Sequence, residues 1–204
     1  MQCLQTTKSV SLCLSLARYF SLSCYASNFS SLKNIMLGGL IGPEAIARRI
    51  LEKVAVATLD EDRRAGLLEL KEKAAVEPVA VGKVVTGELC RMLSGFRDDV
   101  AMLRAALETL LACLNPEASV VGAAVAKEAA AANSSLFSQE DISLLLELLE
   151  EKSWSSRLCL LKIIGAIQGV KPAYIQAAIL QSPQGLARLM DVLAVRPPHA
   201  CKET

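Results

Sequence analysis

"SLLLELLEEKSWSSRLCLLKIIGAIQG", residues 143–169, decides the fold. It begins with two apolar residues, one charge and two more apolar residues: Leu145, Leu146, Glu147, Leu148 and Leu149. After a polar break at 150–153, Leu160, Ile163, Ile164 and Ile167 recur at helical spacing. The spacing predicts a short, strongly apolar helix followed by a longer amphipathic one. Each leucine of the first helix is worth roughly 1.5–3 kcal/mol when fully buried. One helix pair cannot cover so apolar a stripe, so neighbouring units must supply the missing contacts.

Those neighbours are visible on both sides. The same local pattern stands at Leu89-Cys90-Arg91-Met92-Leu93 and at Leu189-Met190-Asp191-Val192-Leu193, respectively 56 residues before and 44 residues after the central copy. The first is also followed by a long helix candidate, residues 98–114, with Leu103, Leu107, Leu110 and Leu114 on one face. An interval of 44 suits armadillo or HEAT units of two or three helices. The longer interval contains residues 116–137, read as a surface insertion with some helical tendency from its alanines. The expected fold is therefore all-α: an armadillo/HEAT-like α-solenoid of about two and a half repeats. It spans 43–195, between a disordered or targeting-like extension (1–42) and a disordered tail (196–204).

Within this frame Pro43 suits the first turn of a helix carrying Ile46, Ile50, Leu51 and Val54. Thr58 and Glu61 have the spacing of a capping box for the next helix, with Asp60, Glu61 and Asp62 at the positive end of its dipole. Ser182-Pro183-Gln184-Gly185 interrupts helical spacing that continues on both sides. It reads as a corner that sets Ile175, Ala178 and Ile179 beside Leu186, Leu189 and Leu193.

Composition agrees with helices. Of 204 residues 52% are hydrophobic and only 4% aromatic, with alanine and leucine dominant. Residues 1–43 carry three bases and no acid, leaving nineteen bases against twenty-one acids in the rest. Such a mixed-sign domain has no basic stripe for nucleic acid, so no nucleic-acid partner is expected. The seven cysteines are scattered without a C-x-x-C pair, which fits a reducing compartment, and Cys90, Cys113 and Cys159 read as core residues. The Ser-rich, acid-free beginning has the composition of a transit peptide or of a meaningless extension. Asn28-Phe29-Ser30 and Asn133-Ser134-Ser135 are glycosylation sequons, of consequence only in a secretory lumen.

Chemistry-bearing residues are sparse, and no catalytic, cofactor-binding or metal-binding residue is assigned. His199 sits in a proline-flanked tail, and Gly38-Gly39 and Gly42 lack the strand, lysine and hydroxyl of a phosphate loop. No His/Cys cluster has metal spacing. Asp98-Asp99 reads as a helix cap and Glu150-Glu151 as solvated charge. The candidate interaction surface is Trp154, Leu186, Leu189, Met190 and Leu193. Trp154 reads as a packing residue between repeats or as an interface anchor. The four residues of the last patterned helix would expose an apolar face and favour self-association.

Three stretches carry a family resemblance: residues 56–74 (VATLDEDRRAGLLELKEKA), 139–154 (QEDISLLLELLEEKSW) and 175–194 (IQAAILQSPQGLARLMDVLA). In this order they resemble the armadillo-like head of the general vesicular transport factor family, the golgin-type vesicle tethers. The Ser-Pro-x-Gly-x-x-x-Leu-Met-Asp-x-Leu element beginning at Ser182 is the most specific of them. The resemblance implies a non-enzymatic tethering scaffold in ER-to-Golgi or intra-Golgi transport, cytoplasmic and peripheral on Golgi and vesicle membranes. It implies protein partners (Rab GTPases, SNAREs, golgins), mostly through a coiled coil and an acidic tail. Neither follows residue 194, so the sequence reads as an amino-terminal fragment. Another armadillo/HEAT adaptor, for cargo or as a chaperone cofactor, and an organelle-targeted helical protein are the alternative readings.

Overall fold

Pro43 opens the first helix, α1 (Pro43–Val56), and Ala47, Ile50, Leu51 and Val54 form its buried stripe. This is the computed structural model of the chain; it describes residues 42–194. The readings made on 1–41 and 195–204, including Gly38-Gly39, Asn28 and His199, lie outside the described residues.

The second helix, α2 (Asp60–Val76), starts later than the Thr58–Glu61 pair predicts. Leu59 takes the cap position in extended conformation and makes no side-chain bond to the helix. Thr58 thus falls before the cap and cannot serve the first-turn amides, while Arg63 Nε ties the turn by donating to Ala57 O at 2.8 Å. Asp60, Glu61 and Asp62 do occupy the first turn, where the dipole favours them.

Next come α3 (Pro78–Leu93), a 3-10 turn (Ser94–Phe96) and α4 (Val100–Leu114). Asp99 caps α4 as expected, accepting from Ala101 N at 2.9 Å and Met102 N at 3.0 Å. A short α5 (Ala118–Val121) leads through Gly122, at φ 87, into α6 (Ala123–Ser134). Gly122 holds a left-handed conformation costly for any residue with a Cβ. Next follow α7 (Gln139–Glu147), a 3-10 turn (Leu148–Glu150) and α8 (Trp154–Val170). Ser138 and Asp141 form a reciprocal capping box at the start of α7. The described chain closes with α9 (Pro172–Gln181) and α10 (Gly185–Ala194). The described residues are all-helical, with no strand among them.

Three helices pack in series, α2 on α4 and α4 on α8. Behind them α1 packs on α2 and α3, α3 on α4 and α6, and α7 on α9 and α10. The predicted faces are the ones buried: Leu103, Leu107, Leu110 and Leu114 in α4, and Leu160, Ile163, Ile164 and Ile167 in α8. The four leucines of 145–149 are buried as well. They join the other stripes in one contiguous core.

The stretch 116–137 keeps the expected helical tendency but is not peripheral. Helix α6 packs against α3, α4 and α8 and buries Ala129, Asn133 and Ser134. Alanine has no bulk to hold the helix away, and one buried polar side chain then fastens it. Asn133 Nδ2 donates to Pro78 O at 2.9 Å and to Cys113 O at 2.7 Å. The carboxamide lies against Gly82, where an added Cβ would overlap it.

The corner at Ser182 also differs in detail from its reading. Helix α9 buries Ile175 and Ala178 as predicted, but Leu186 is 62% exposed. The inward stripe of α10 is instead Gly185, Leu189 and Val192, spaced four and three residues apart. Gly185 lets the chain turn tightly, since a Cβ there would stand 2.9 Å from Ile179 O and from Ser182 Cβ. That approach rotates α10 and turns Leu186 outward.

Asn133→Ala should cost about 1–3 kcal/mol for each carbonyl it leaves without a donor. Gly82→Ala should cost about 1–3 kcal/mol through overlap with the carboxamide. In urea unfolding the double variant should lose less than the sum of the singles, because removing the amide makes room for the new methyl. Additive losses would show that the two residues do not share one contact.

Candidate interaction surface

Of the five candidate residues, the structure gathers Leu186, Leu189 and Met190 on α10. Leu186 and Met190, one turn apart, are exposed at 62% and 59%. Leu189 is half-buried and packs against the core. The Leu193 side chain lies outside what is described. Trp154 stands apart as the first residue of α8, half-buried against the core behind the Ser153 cap.

Sequence reasoning missed two contributors. Leu180, at the end of α9, is 82% exposed and is a further open apolar side chain on the last helix pair. Its signal was present: it falls off the stripe of Ile175 and Ala178. Arg188 is 17% exposed at its side chain and donates from Nε to Glu150 Oε1 at 2.7 Å. That pair ties α10 to the turn after α7, and only the fold could reveal it.

Several other ion pairs also join separate elements, while Arg63–Asp60, Arg91–Glu88 and Arg104–Glu108 lie within single helices. Lys71 Nζ on α2 donates to Glu108 Oε2 on α4 at 2.8 Å, and Arg104 Nε reaches the same carboxylate at 2.8 Å. Arg64 meets Asp99 at 3.3 Å, and Arg97 meets Glu147 at 2.8 Å. The hydrogen bond from Lys71 holds the Glu108 carboxyl below its ordinary range against partial burial, with Arg104 adding to it. The backbone N–H of Met102 does the same for Asp99, helped by Arg64. Burial pushes the thiols of Cys90 and Cys113 up to about 12, so both are inert packing groups at neutral pH. Cys159 is half-buried, and its thiol is raised mainly by the same desolvation. Among the described residues no three His, Cys, Asp or Glu side chains converge as metal ligands. None of the described helices is long and apolar enough to cross a membrane.

No family model matches the chain. Golgin candidate 6 of Arabidopsis thaliana is 36% identical over 158 residues, which is 75% of this chain and 17% of that protein. General vesicular transport factor p115, from Bos taurus and from Homo sapiens, is 30% identical over 173 residues, 80% of this chain and 18% of its own length. Over most of its length the chain is thus related to golgin candidate 6 and to general vesicular transport factor p115. The resemblance read from residues 56–74, 139–154 and 175–194 is thereby borne out. The chain spans less than a fifth of the length of these p115-type relatives.

The lowered carboxyls of Asp99 and Glu108 set a pH dependence. A carboxyl whose folded pKa lies below its unfolded value adds stability above the unfolded pKa, and this is lost as pH falls through the folded one. The urea midpoint should therefore fall below about pH 4–5, near the unfolded carboxyl range. An Asp99→Asn, Glu108→Gln variant should show a flatter acid limb, its cap retained by asparagine. Parallel limbs would show that these two pairs carry no pH-linked stability.

Proposed function

We propose that the chain is a non-enzymatic vesicle-tethering scaffold in ER-to-Golgi or intra-Golgi transport, acting through protein contacts on the surfaces of an armadillo-like α-solenoid. The observation that carries the reading is the serial packing of α2, α4 and α8 in a chain related to p115 over 173 residues. Long helices that each meet the next in line are what a stack of repeats produces. The 44-residue recurrence agrees, with Ser138 and Ser182 standing before equivalent patterned helices. On this reading residues 43–195 are part of a tether head holding about two and a half repeats. The head sits peripherally on the cytoplasmic side of Golgi and vesicle membranes. Its partners are proteins of the classes the resemblance implies, Rab GTPases, SNAREs and golgins, met through exposed helical faces.

The test is binding of the purified chain to isolated Golgi membranes. Sedimentation with untreated membranes, lost after the membranes are trimmed with protease, is the expected result. Binding that survives trimming would replace protein recognition with lipid recognition. No binding, together with import of a fluorescent fusion into another organelle, would overturn the proposal in favour of an organelle-targeted protein.

A further inference from the structure

We infer that the outer strip of α2, α4 and α8 is a docking surface for an acidic segment of a partner protein, centred on Lys71, Arg104 and Lys162. The inference rests on the tethering reading for the partner being a protein, and it adds the face and the chemistry. Each helix turns one stripe outward: Arg64, Leu68 and Lys71 on α2, Ala101, Arg104 and Glu108 on α4, and Leu158, Lys162, Gly165 and Gly169 on α8. The stripes are neighbours, because α2 packs on α4 and α4 on α8. Their charge is uneven. Lys71 and Arg104 share the one carboxylate of Glu108, Arg64 is matched by Asp99, and Lys162 makes no ion pair among the described residues. The bases also stand further into solvent, the side chains of Lys71 and Arg104 being 41% and 55% exposed against 27% for Glu108. Besides burial, the charges that act on the half-buried Cys159 thiol are Glu108, which raises it, and Lys162, Arg104 and Lys71, which lower it, so all four lie about one point on α8.

Helix α8 shows how closely a partner can come. A glycine inside a helix costs backbone entropy that alanine does not, and a close neighbour or a left-handed backbone usually explains it. Gly165 and Gly169 have neither: a Cβ at either would meet nothing within 4 Å, and neither takes a positive φ. One turn apart and following Lys162 on the same stripe, they leave room for an incoming backbone beside that cation. Leu68 and Leu158, exposed at 55% and 39%, offer apolar contact on α2 and α8. A carboxylate arriving here gains Lys162, or the two bases that Glu108 satisfies alone, and displaces nothing. A peptide suits the pattern better than a polyanion. Beside the strip α2 exposes Glu61 and Glu72, which an anionic bilayer or a nucleic acid laid across these helices would meet. A segment with a few spaced acids reaches the bases and avoids those carboxylates.

Fluorescence anisotropy of the full chain tests this with a fluorescein-labelled peptide of glutamate, leucine and alanine and with its glutamine counterpart. The glutamate peptide should bind, more weakly as salt is raised, and the glutamine peptide should bind about tenfold less tightly or not at all. Lys162→Glu should weaken the glutamate peptide about tenfold with unchanged helical circular dichroism, whereas Arg48→Glu, the same charge change on α1, should not. Gly165→Leu should also weaken it without lowering the urea midpoint, since the new side chain fills only the space left for the partner. Equal binding of both peptides, or equal loss in the Lys162 and Arg48 variants, would overturn the inference. So would tighter binding to phosphatidylserine vesicles than to the peptide, which would make the strip a lipid surface. Golgi-membrane sedimentation is read separately: a chain that takes the peptide but no membranes loses only the tethering reading, and one that binds membranes but not the peptide loses only the docking strip.

Discussion

The helix stack turns on one carboxamide. Asn133 is fully buried and gives both hydrogens of its Nδ2 to backbone carbonyls, one from the first turn of α3 and one from the last turn of α4. A helix C-terminus leaves carbonyls without intrahelical partners, and burying one without a donor is costly. Asn133 therefore completes α4 from a different helix. Because Gly82 has no side chain, the amide can lie flat on α3. The register of α6 against both helices follows from that fit.

Fixing α6 fixes more than α6. This helix also packs on α8, so it links the arrangement of α3 and α4 to that of α8. Its own apolar payload is small, since Ala129 is its one fully buried hydrophobic residue. Most of the burial comes from the leucine and isoleucine stripes of α4, α7 and α8, which hydrophobic association would drive together in many relative positions. A directional polar contact selects one of them. The surface ion pairs beside it, such as Lys71 with Glu108, are exposed enough to be screened and contribute comparatively little.

Periodicity made the stripes legible. Leu103, Leu107, Leu110 and Leu114 could be assigned to a buried face because a helix of any tertiary setting must turn them to one side. The Asp99 cap was legible for the same local reason, whereas the start of α2 was not. There the chain places Leu59 at the cap and ties the turn from Arg63 to Ala57, neither of which the Thr58–Glu61 spacing signals. Asn133 gave no local sign of its role, because its partners are 20 and 55 residues away. Leu186 was placed on the wrong face because helical spacing gives relative angles along a helix but not the rotation at which a corner such as Gly185 releases it. Of the candidate surface, the sequence could mark α10 as apolar; which of its residues remain uncovered depends on how the repeat beside it is seated.

The fastening at Asn133 also has a chemical corollary. Asn133-Ser134-Ser135 is an acceptor triplet for N-linked glycan, and the nitrogen that would carry the sugar is the one that serves Pro78 O and Cys113 O. Glycan attachment would consume one of those hydrogens and place a bulky polar group where no solvent reaches. Docked α6 and a sugar on Asn133 are mutually exclusive states of the polypeptide. A chain modified there during synthesis would be barred from closing its own core.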